Sequence, residues 1–210
     1  MFETMRPGEI EKRSFAIIGE ELGARVLDPE QEPVIKRVIH TTADFDYVEN
    51  LRFSPHAVQK GVEGLRSGAS IVTDTEMARS GINKKSLSRL GGEAFCFMAE
   101  ESVAQEARER GVTRACVSME RAASLPGPLL FAIGNAPTAL ARLYELVEEG
   151  VVSPELVIGV PVGFVNVVEA KELFLEKETP HIIARGRKGG SNVAAAICNA
   201  LLYLAEGRQL

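Results

Sequence analysis

The feature that most constrains the fold is a repeated alternation, in which a short apolar run is followed by polar turn residues and then by a helical stretch. The runs are SIVTDT (70–75), EAFCFM (93–98), LLFAIGN (129–135), LVIGVPVGF (156–164) and HIIARG (181–186). Continuous apolar strands that alternate with helices are typical of a parallel sheet covered on both faces. The sequence therefore predicts an α/β fold of three layers, with a mainly parallel sheet and helices on both faces.

The first part of the chain predicts two helices. Pro7 is typical of a helix start, and Phe15, Ile18 and Leu22 follow it at the spacing of one helix face. Residues 32–42 carry Val34, Ile35, Val38 and Ile39, the pattern of one helix face, although their β-branched side chains leave a strand as the alternative. Because no linker divides the chain, we expect residues 1–210 to form a single domain.

Charge and cysteine content exclude several classes of protein. The 210 residues contain 24 Lys+Arg and 29 Asp+Glu, a net charge of −5. Electrostatic binding to nucleic acids or anionic membranes needs an excess of basic residues, so the net charge argues against both kinds of partner. Three cysteines without metal-ligand spacing predict buried free thiols, and no metal site is expected. The N-terminus lacks an apolar core and no apolar run approaches a membrane span, so we expect a cytoplasmic protein.

Ligands of parallel sheets bind beyond the carboxyl ends of the strands, which directs attention to residues 73–75, 134–137, 161–164 and 185–192. The last of these contains GRKGGSN, a glycine-rich basic turn before a helix. Helix N-termini and glycine-rich turns bind anions through backbone N–H groups, so the pattern favours a carboxylate or phosphate site. A solvated turn is the alternative. Neither GxGxxG nor Walker A is present, so no nucleotide is specified.

Two further segments have polar residues at positions that suit a site. In AIGNAPTAL (132–140), capping of the helix is as good an interpretation as ligand contact. In IHTTADFDY (39–47), His40 follows an apolar helix face and is surrounded by hydrogen-bonding residues. Histidine titrates near neutrality and can act as an acid or base, so His40 is a candidate catalytic residue, with a structural role as the alternative. We expect His56 to start a helix and His181 to open a strand.

Five segments of this sequence resemble the precorrin-8X methylmutase family of cobalamin biosynthesis. They are IHTTADFDY, TDTEMARSGI, AIGNAPTAL, PVGFVNVVEAKE and RGRKGGSNVAAA, in the family's order. The resemblance implies an isomerase that moves a methyl group from C-11 to C-12 of precorrin-8X or cobalt-precorrin-8, giving hydrogenobyrinic acid or cobyrinic acid. It implies no cofactor, and a homodimer with the site near the subunit interface.

The resemblance also implies roles for individual residues. His40 would donate a proton to the macrocycle, and Thr41, Thr42 and Asp44 would orient the imidazole or face the ligand. Peripheral carboxylates of the tetrapyrrole would be held by basic side chains and by a helix N-terminus. The residues concerned are Arg185, Arg187, Lys188, Ser191 and Asn192, with a weaker argument for Lys84, Lys85 and Arg121. Further residues expected to line the pocket are Ser14, Thr75, Met77 and Asn135.

Two other functions remain alternatives at this point. A corrinoid carrier on the same scaffold would bind the macrocycle without converting it. A nucleotide-dependent α/β enzyme would use the glycine-rich turns, although the motifs that specify a nucleotide are missing.

Overall fold

The structure is a computed structural model that describes residues 6–208 of the chain. Its centre is a six-stranded sheet in the order β1-β6-β5-β4-β2-β3, in which β1 is antiparallel to β6 and all other neighbours are parallel. The strands are β1 (Leu51–Phe53), β2 (Ser70–Thr73), β3 (Ala94–Phe95), β4 (Leu129–Ile133), β5 (Leu156–Gly159) and β6 (His181–Ala184). The predicted α/β class with a mainly parallel sheet is confirmed.

Eleven helices lie within the described residues. They are α1 (Pro7–Leu22), α2 (Glu32–Thr42), α3 (Tyr47–Asn50), α4 (Ala57–Arg66), α5 (Glu76–Gly81), α6 (Lys84–Arg89), α7 (Glu101–Arg110), α8 (Arg114–Ala123), α9 (Pro137–Glu148), α10 (Val167–Leu175) and α11 (Ser191–Ala205). The segment 32–42 is a helix, and its four β-branched apolar residues are buried.

Successive strand residues point to opposite faces of the sheet, and this alternation divides the core into two layers. On one face, Ile158 and its equivalents pack against α2, α4 and α11. On the other face, Val157 and Phe131 pack against α8, α9 and α10. The strands β4, β5 and β6 are fully buried, as three layers require. The sheet therefore carries helices on both faces, as predicted.

The strands end earlier than the apolar runs predict. The run 156–164 forms a strand only to Gly159, and the run 70–75 only to Thr73. The remaining residues of each run leave the ladder and build the loops at the carboxyl edge. Strand β1 was not predicted, because three residues are too few to show a periodic pattern.

The cysteines and two of the histidines occupy positions that can be compared with their predictions. Cys96, Cys116 and Cys198 are free, but only Cys198 is buried, whereas the other two are half-buried. His56 is at the N-cap position of α4, with its side chain exposed, and His181 opens β6. Among the described residues, no helix has the length and apolar character needed to cross a membrane.

The end of β4 approaches the start of α11 so closely that no side chain fits between them. A Cβ atom at Gly134 would lie 2.8 Å from Ser191 Cα and 2.9 Å from the Gly190 carbonyl oxygen. Both obstacles are backbone atoms, which cannot rotate out of the way. Glycine at this position therefore allows two loops of the carboxyl edge to touch.

We predict that Gly134→Ala lowers the free energy of unfolding by about 1–3 kcal/mol, the usual cost of overpacking a filled site. Urea denaturation followed by circular dichroism measures this change. The matched control is Gly19→Ala in α1, where an added Cβ has no neighbour within 4 Å. Alanine favours the helix there, so this control should be unchanged or more stable by up to about 1 kcal/mol. Equal stability of both variants would contradict the close approach.

Candidate active site

The topology creates a crevice at the carboxyl ends of β2 and β4. After β2 the chain continues into α5 and α6, whose buried residues belong to the core on one face. After β4 it continues into α9, which packs on the opposite face. Neighbouring strands whose connections leave to opposite faces form the switch point where open α/β sheets bind ligands.

The carboxylate of Asp74 occupies this crevice. It directly follows β2 and is 1% exposed. Its oxygens accept hydrogen bonds from the backbone N–H groups of Gly134 (2.8 Å), Asn135 (2.8 Å) and Ala136 (2.6 Å). Burial raises the pKa of the Asp74 carboxyl above its ordinary value, although the three N–H bonds oppose the shift. The N–H groups of residues 134–136, just before α9, are therefore satisfied by the protein itself, which favours the capping interpretation of 132–140.

The N-terminus of α11, by contrast, binds no carboxylate from residues 6–208. Within the described residues, the N–H groups of residues 186–189, Ser191 and Asn192 donate no hydrogen bond. Gly189 and Gly190 have φ of +158° and +134°, and a Cβ at Gly189 would lie 2.1 Å from the Val160 carbonyl oxygen. The turn before α11 thus needs glycine and leaves a row of free donors, as an anion site requires.

A hydroxyl pair joins the switch point to this helix start. The Thr75 and Ser191 Oγ atoms are 2.8 Å apart, and Thr75 also accepts a bond from Ala78 N–H as the N-cap of α5. These two predicted pocket residues are therefore brought together by the fold.

A buried lysine binds the backbone of the basic turn. Lys171 on α10 is 1% exposed, and its Nζ donates to the carbonyl oxygens of Gly186 (2.7 Å) and Lys188 (2.8 Å). Burial lowers its pKa to about 8. The backbone of the turn is thus fixed by a charged group that the sequence analysis did not select.

The three cationic side chains of the turn have different surroundings. Arg185 and Arg187 are exposed, and the Arg187 guanidinium lies 5.4 Å from the centre of the Phe164 ring. Lys188 Nζ lies 2.6 Å from carboxylate oxygens of both Asp44 and Asp46, which raise its pKa. The charge of Lys188 is therefore already compensated, whereas those of the two arginines are available. A cleft of about 420 Å3 along the turn also includes Asn50, Val168 and Glu172.

The Lys188 ion pairs bring the predicted catalytic segment to the turn. Asp44 and Asp46 follow α2 directly, 144 and 142 residues away from Lys188 in sequence. His40 is on the last turn of α2 and is exposed. The fold therefore gathers the 40–46 segment and the turn before α11 at the same edge of the sheet.

The His40 imidazole is held by stacking. Its ring is 5.1 Å from the Phe15 ring, centre to centre, with an angle of 12° between the planes. Arg37, one turn earlier on α2, lies 4.8 Å from the same phenyl ring and 5.1 Å from that of Tyr203. Offset stacking of this kind adds about 0.5–1.5 kcal/mol beyond burial. A cleft of about 430 Å3 between α1, α2 and α11 is lined by Phe15, Arg37 and Tyr203 together with Gly8, Glu11, Lys12 and Arg208.

The groups expected to orient the imidazole bind other partners. The Thr41 and Thr42 hydroxyls donate to carbonyl oxygens four residues earlier, and Asp44 pairs with Lys188. Among the described residues, neither nitrogen of His40 has a hydrogen-bond partner. Phe15 orients the ring instead, and the imidazole nitrogens are left for another molecule.

The remaining candidates are spread over both faces of the sheet. Ser14 adjoins Phe15 on α1 and donates to the Ile10 carbonyl, and Asn135 is exposed at the edge. Met77 at the start of α5 is 72% exposed. Lys84 and Lys85 begin α6 and are exposed. Arg121 is on α8, across the sheet from α2, where it pairs with Glu100 at 2.6 Å and with Glu106 at 3.6 Å.

Three residues that support the candidate site are not predicted by the sequence as part of it. Phe15 was assigned only to a helix face, and Asp74 was only part of the candidate segment 73–75. Lys171 stands in the apolar helix VVEAKELFL, where a lone lysine at a core position is a signal for a buried, hydrogen-bonded charge.

Taken together, these features define a three-layer α/β protein with a glycine-rich basic turn of free N–H groups before α11 and an exposed, stacked histidine on the last turn of α2. The model of the precorrin-8X methylmutase family matches residues 9–204. A cobalt-precorrin-8 methylmutase of Salmonella typhimurium is 46% identical, with 97% of this chain and 98% of that protein covered. The equivalent protein of Priestia megaterium is 43% identical, with 97% and 90% covered.

A solved structure agrees with these sequence relatives. The precorrin-8X methylmutase of Thermus thermophilus has a TM-score of 0.86 and 38% identity, over 94% of this chain and 98% of that one. The chain belongs to the precorrin-8X methylmutase family of cobalamin biosynthesis, and its activity is that of an isomerase.

We predict that Asp74→Ala lowers the free energy of unfolding by about 2–4 kcal/mol, because three N–H groups lose their only acceptor. The measurement is again urea denaturation. Asp28→Ala is the matched control, since Asp28 is exposed and accepts one N–H bond, from Glu30. That control should lose less than about 1 kcal/mol. Similar losses in the two variants would show that Asp74 does not organise the edge.

Proposed function

We propose that this protein moves the methyl group of precorrin-8X or cobalt-precorrin-8 from C-11 to C-12, with His40 as the proton donor. The observation that supports this most strongly is the exposed His40 imidazole, stacked on Phe15 and tethered through Asp44 to the basic turn. Family membership supports the substrate class, and the geometry supports the assignment of roles.

The role of His40 is to place one proton on the macrocycle. Protonation withdraws electron density from the conjugated ring and lowers the barrier to migration of the methyl group. The donor must be held at a defined position. His40 meets this condition, because it is on a buried helix and stacks on Phe15 with its nitrogens unbonded within the described chain.

The turn before α11 binds peripheral carboxylates of the tetrapyrrole. Its free N–H groups, the Arg185 and Arg187 side chains and the start of α11 at Ser191 and Asn192 all present donors to the same region. Charge-assisted bonds of this kind are about twice as strong as neutral ones. Lys188 acts as the tether to α2, because both of its carboxylate partners belong to the protein.

The flat apolar body of the substrate needs apolar surface beside these donors. Large apolar side chains are exposed on the loop after β5 and at the start of α5, namely Val162 (46%), Phe164 (82%), Val165 (76%) and Met77 (72%). Ser14, Thr41, Thr75, Asn135 and Asn192 would supply polar contacts around them. The arrangement does not need Lys84 or Arg121.

A homodimer completes the pocket in this proposal. The clefts beside Phe15 and along the turn measure about 430 and 420 Å3. Clefts of about 300–1,000 Å3 enclose drug-sized ligands. A corrin polycarboxylate is larger than a drug-sized ligand, so neither cleft alone would enclose it. A second copy of the chain would cover the exposed apolar residues together with the bound macrocycle.

We predict that His40→Ala lowers turnover of precorrin-8X by at least about 10²-fold, the usual contribution of a positioned acid. Binding of hydrogenobyrinic acid should change by less than about threefold, because the turn is intact. The change in the absorption spectrum reports turnover, and a spectral titration of the product reports binding.

His56→Asn is the matched control for this experiment. His56 is exposed and has a φ of +59°, a conformation that asparagine tolerates. It should turn over like the wild-type protein. Normal turnover by His40→Ala would exclude His40 as the proton donor, and binding by the wild type without spectral conversion would indicate a carrier.

A further inference from the structure

Lys171 carries a charge that the reaction described above does not use. It is the only lysine among the buried polar and charged residues of the described chain. Its Nζ contacts are two backbone carbonyl oxygens, those of Gly186 and Lys188. Burying an ammonium group costs free energy unless something compensates it, so its position beneath the basic turn calls for an explanation.

No carboxylate compensates Lys171 within the described residues, since burial is the sole cause of its lowered pKa. Charged and titratable groups on the surrounding elements are Glu169, Glu172, Glu176, Lys177 and Glu178 on or after α10, Arg142, Tyr144, Glu145, Glu148 and Glu149 on or after α9, His181 on β6, and Arg185, Arg187 and Lys188 on the turn. Glu148 pairs with Lys177, and Glu145 and Glu149 pair with Arg142. Lys171 therefore adds a fourth, buried positive charge to the three on the turn.

The two Lys171 bonds decide which way the turn presents its N–H groups. In a planar trans peptide the N–H points opposite to the C=O, and no cis peptide occurs among the described residues. When the Gly186 and Lys188 carbonyls point at Lys171, the N–H groups of Arg187 and Gly189 point away from it. The Arg187 carbonyl is fixed as well, because it accepts a bond from Gly163 N–H (3.2 Å), and the N–H of Lys188 therefore points away from Gly163.

The N–H groups of residues 187–189 each share a peptide bond with one of these three carbonyls. Each N–H group therefore points away from the group that its carbonyl contacts. None of them donates a hydrogen bond within the described chain. Successive free N–H groups on one concave turn form an anion nest. Lys171 and Gly163 occupy the carbonyls of this turn and so leave its N–H groups for such a nest.

We propose that Lys171 is a positioning residue for substrate, which holds the 187–189 nest open and supplies the positive charge behind it for one carboxylate of the tetrapyrrole. This inference rests on the proposed function. It assigns no contact between Lys171 and the substrate, and it leaves the proton donor untouched.

The proposal predicts how binding depends on pH. In the free enzyme Lys171 is charged below its pKa of about 8 and becomes neutral above it. A bound carboxylate favours the charged form and so raises the pKa of Lys171 in the complex. The dissociation constant of hydrogenobyrinic acid should therefore be constant well below pH 8 and then rise by about tenfold in total, as Lys171 loses its charge in the free protein. The KM of precorrin-8X should follow the same curve.

The decisive variants are Lys171→Met and Lys171→Arg. Lys171→Met should weaken product binding about tenfold at pH 7, raise KM in proportion, change kcat by less than about twofold and abolish the rise above pH 8. Arginine stays charged at every pH used, so Lys171→Arg should also lose the rise. Lys177→Met is the matched control, because Lys177 pairs with Glu148 away from the turn. It should keep the wild-type curve.

The outcomes separate this inference from the proposed function. Unchanged affinity in Lys171→Met, or a rise above pH 8 that persists in it, would overturn the positioning role while turnover continues. Failure of the wild type to convert precorrin-8X would overturn the proposed function, and the product titrations would still decide the role of Lys171. If Lys171→Met does not fold, the comparison of wild type with Lys171→Arg decides it.

Discussion

The carboxylate of Asp74 is the interaction on which the rest of the site depends. By accepting three N–H bonds at the ends of β2 and β4, it fills the crevice that an open α/β sheet offers to a ligand. The N–H groups of residues 134–136 are thereby satisfied, whereas those of residues 186–189, Ser191 and Asn192 donate no hydrogen bond within the described residues. Under the proposed function, a carboxylate of the substrate then binds at the turn before α11 and not at the residues that Asp74 occupies.

Two buried charged residues act on two different groups of N–H donors at the carboxyl edge. Asp74 supplies an internal anion to one group of N–H donors, and Lys171 draws carbonyls inward so that a second group stays free. Burial disfavours the charged form of both groups, raising the pKa of Asp74 and lowering that of Lys171. Both charges are costly to bury, and apolar residues could fill the same space. Apolar residues would not orient any backbone N–H donor, however, which explains why charged residues occupy these positions.

The fold could be predicted from the sequence because alternating apolar runs and helical stretches specify a parallel sheet with two covered faces. The basic turn was also predictable, since its glycines and cations are contiguous. The partners of its cations were not, because Lys188 meets Asp44 across 144 residues and no local pattern records such a pair. For the same reason the sequence does not indicate that Phe15 supports the His40 ring. It predicts Thr41 and Thr42 in that role instead.

The central claim is that the N–H groups before α11 bind the carboxylates of the substrate, and hydrogen–deuterium exchange tests it most directly. Amides without internal acceptors exchange quickly in the free protein. On saturation with hydrogenobyrinic acid, the amides of residues 186–189, 191 and 192 should slow by at least about tenfold, whereas those of residues 134–136, already bound to Asp74, should change little. Unchanged exchange at residues 186–189, 191 and 192 in the saturated protein would contradict the account.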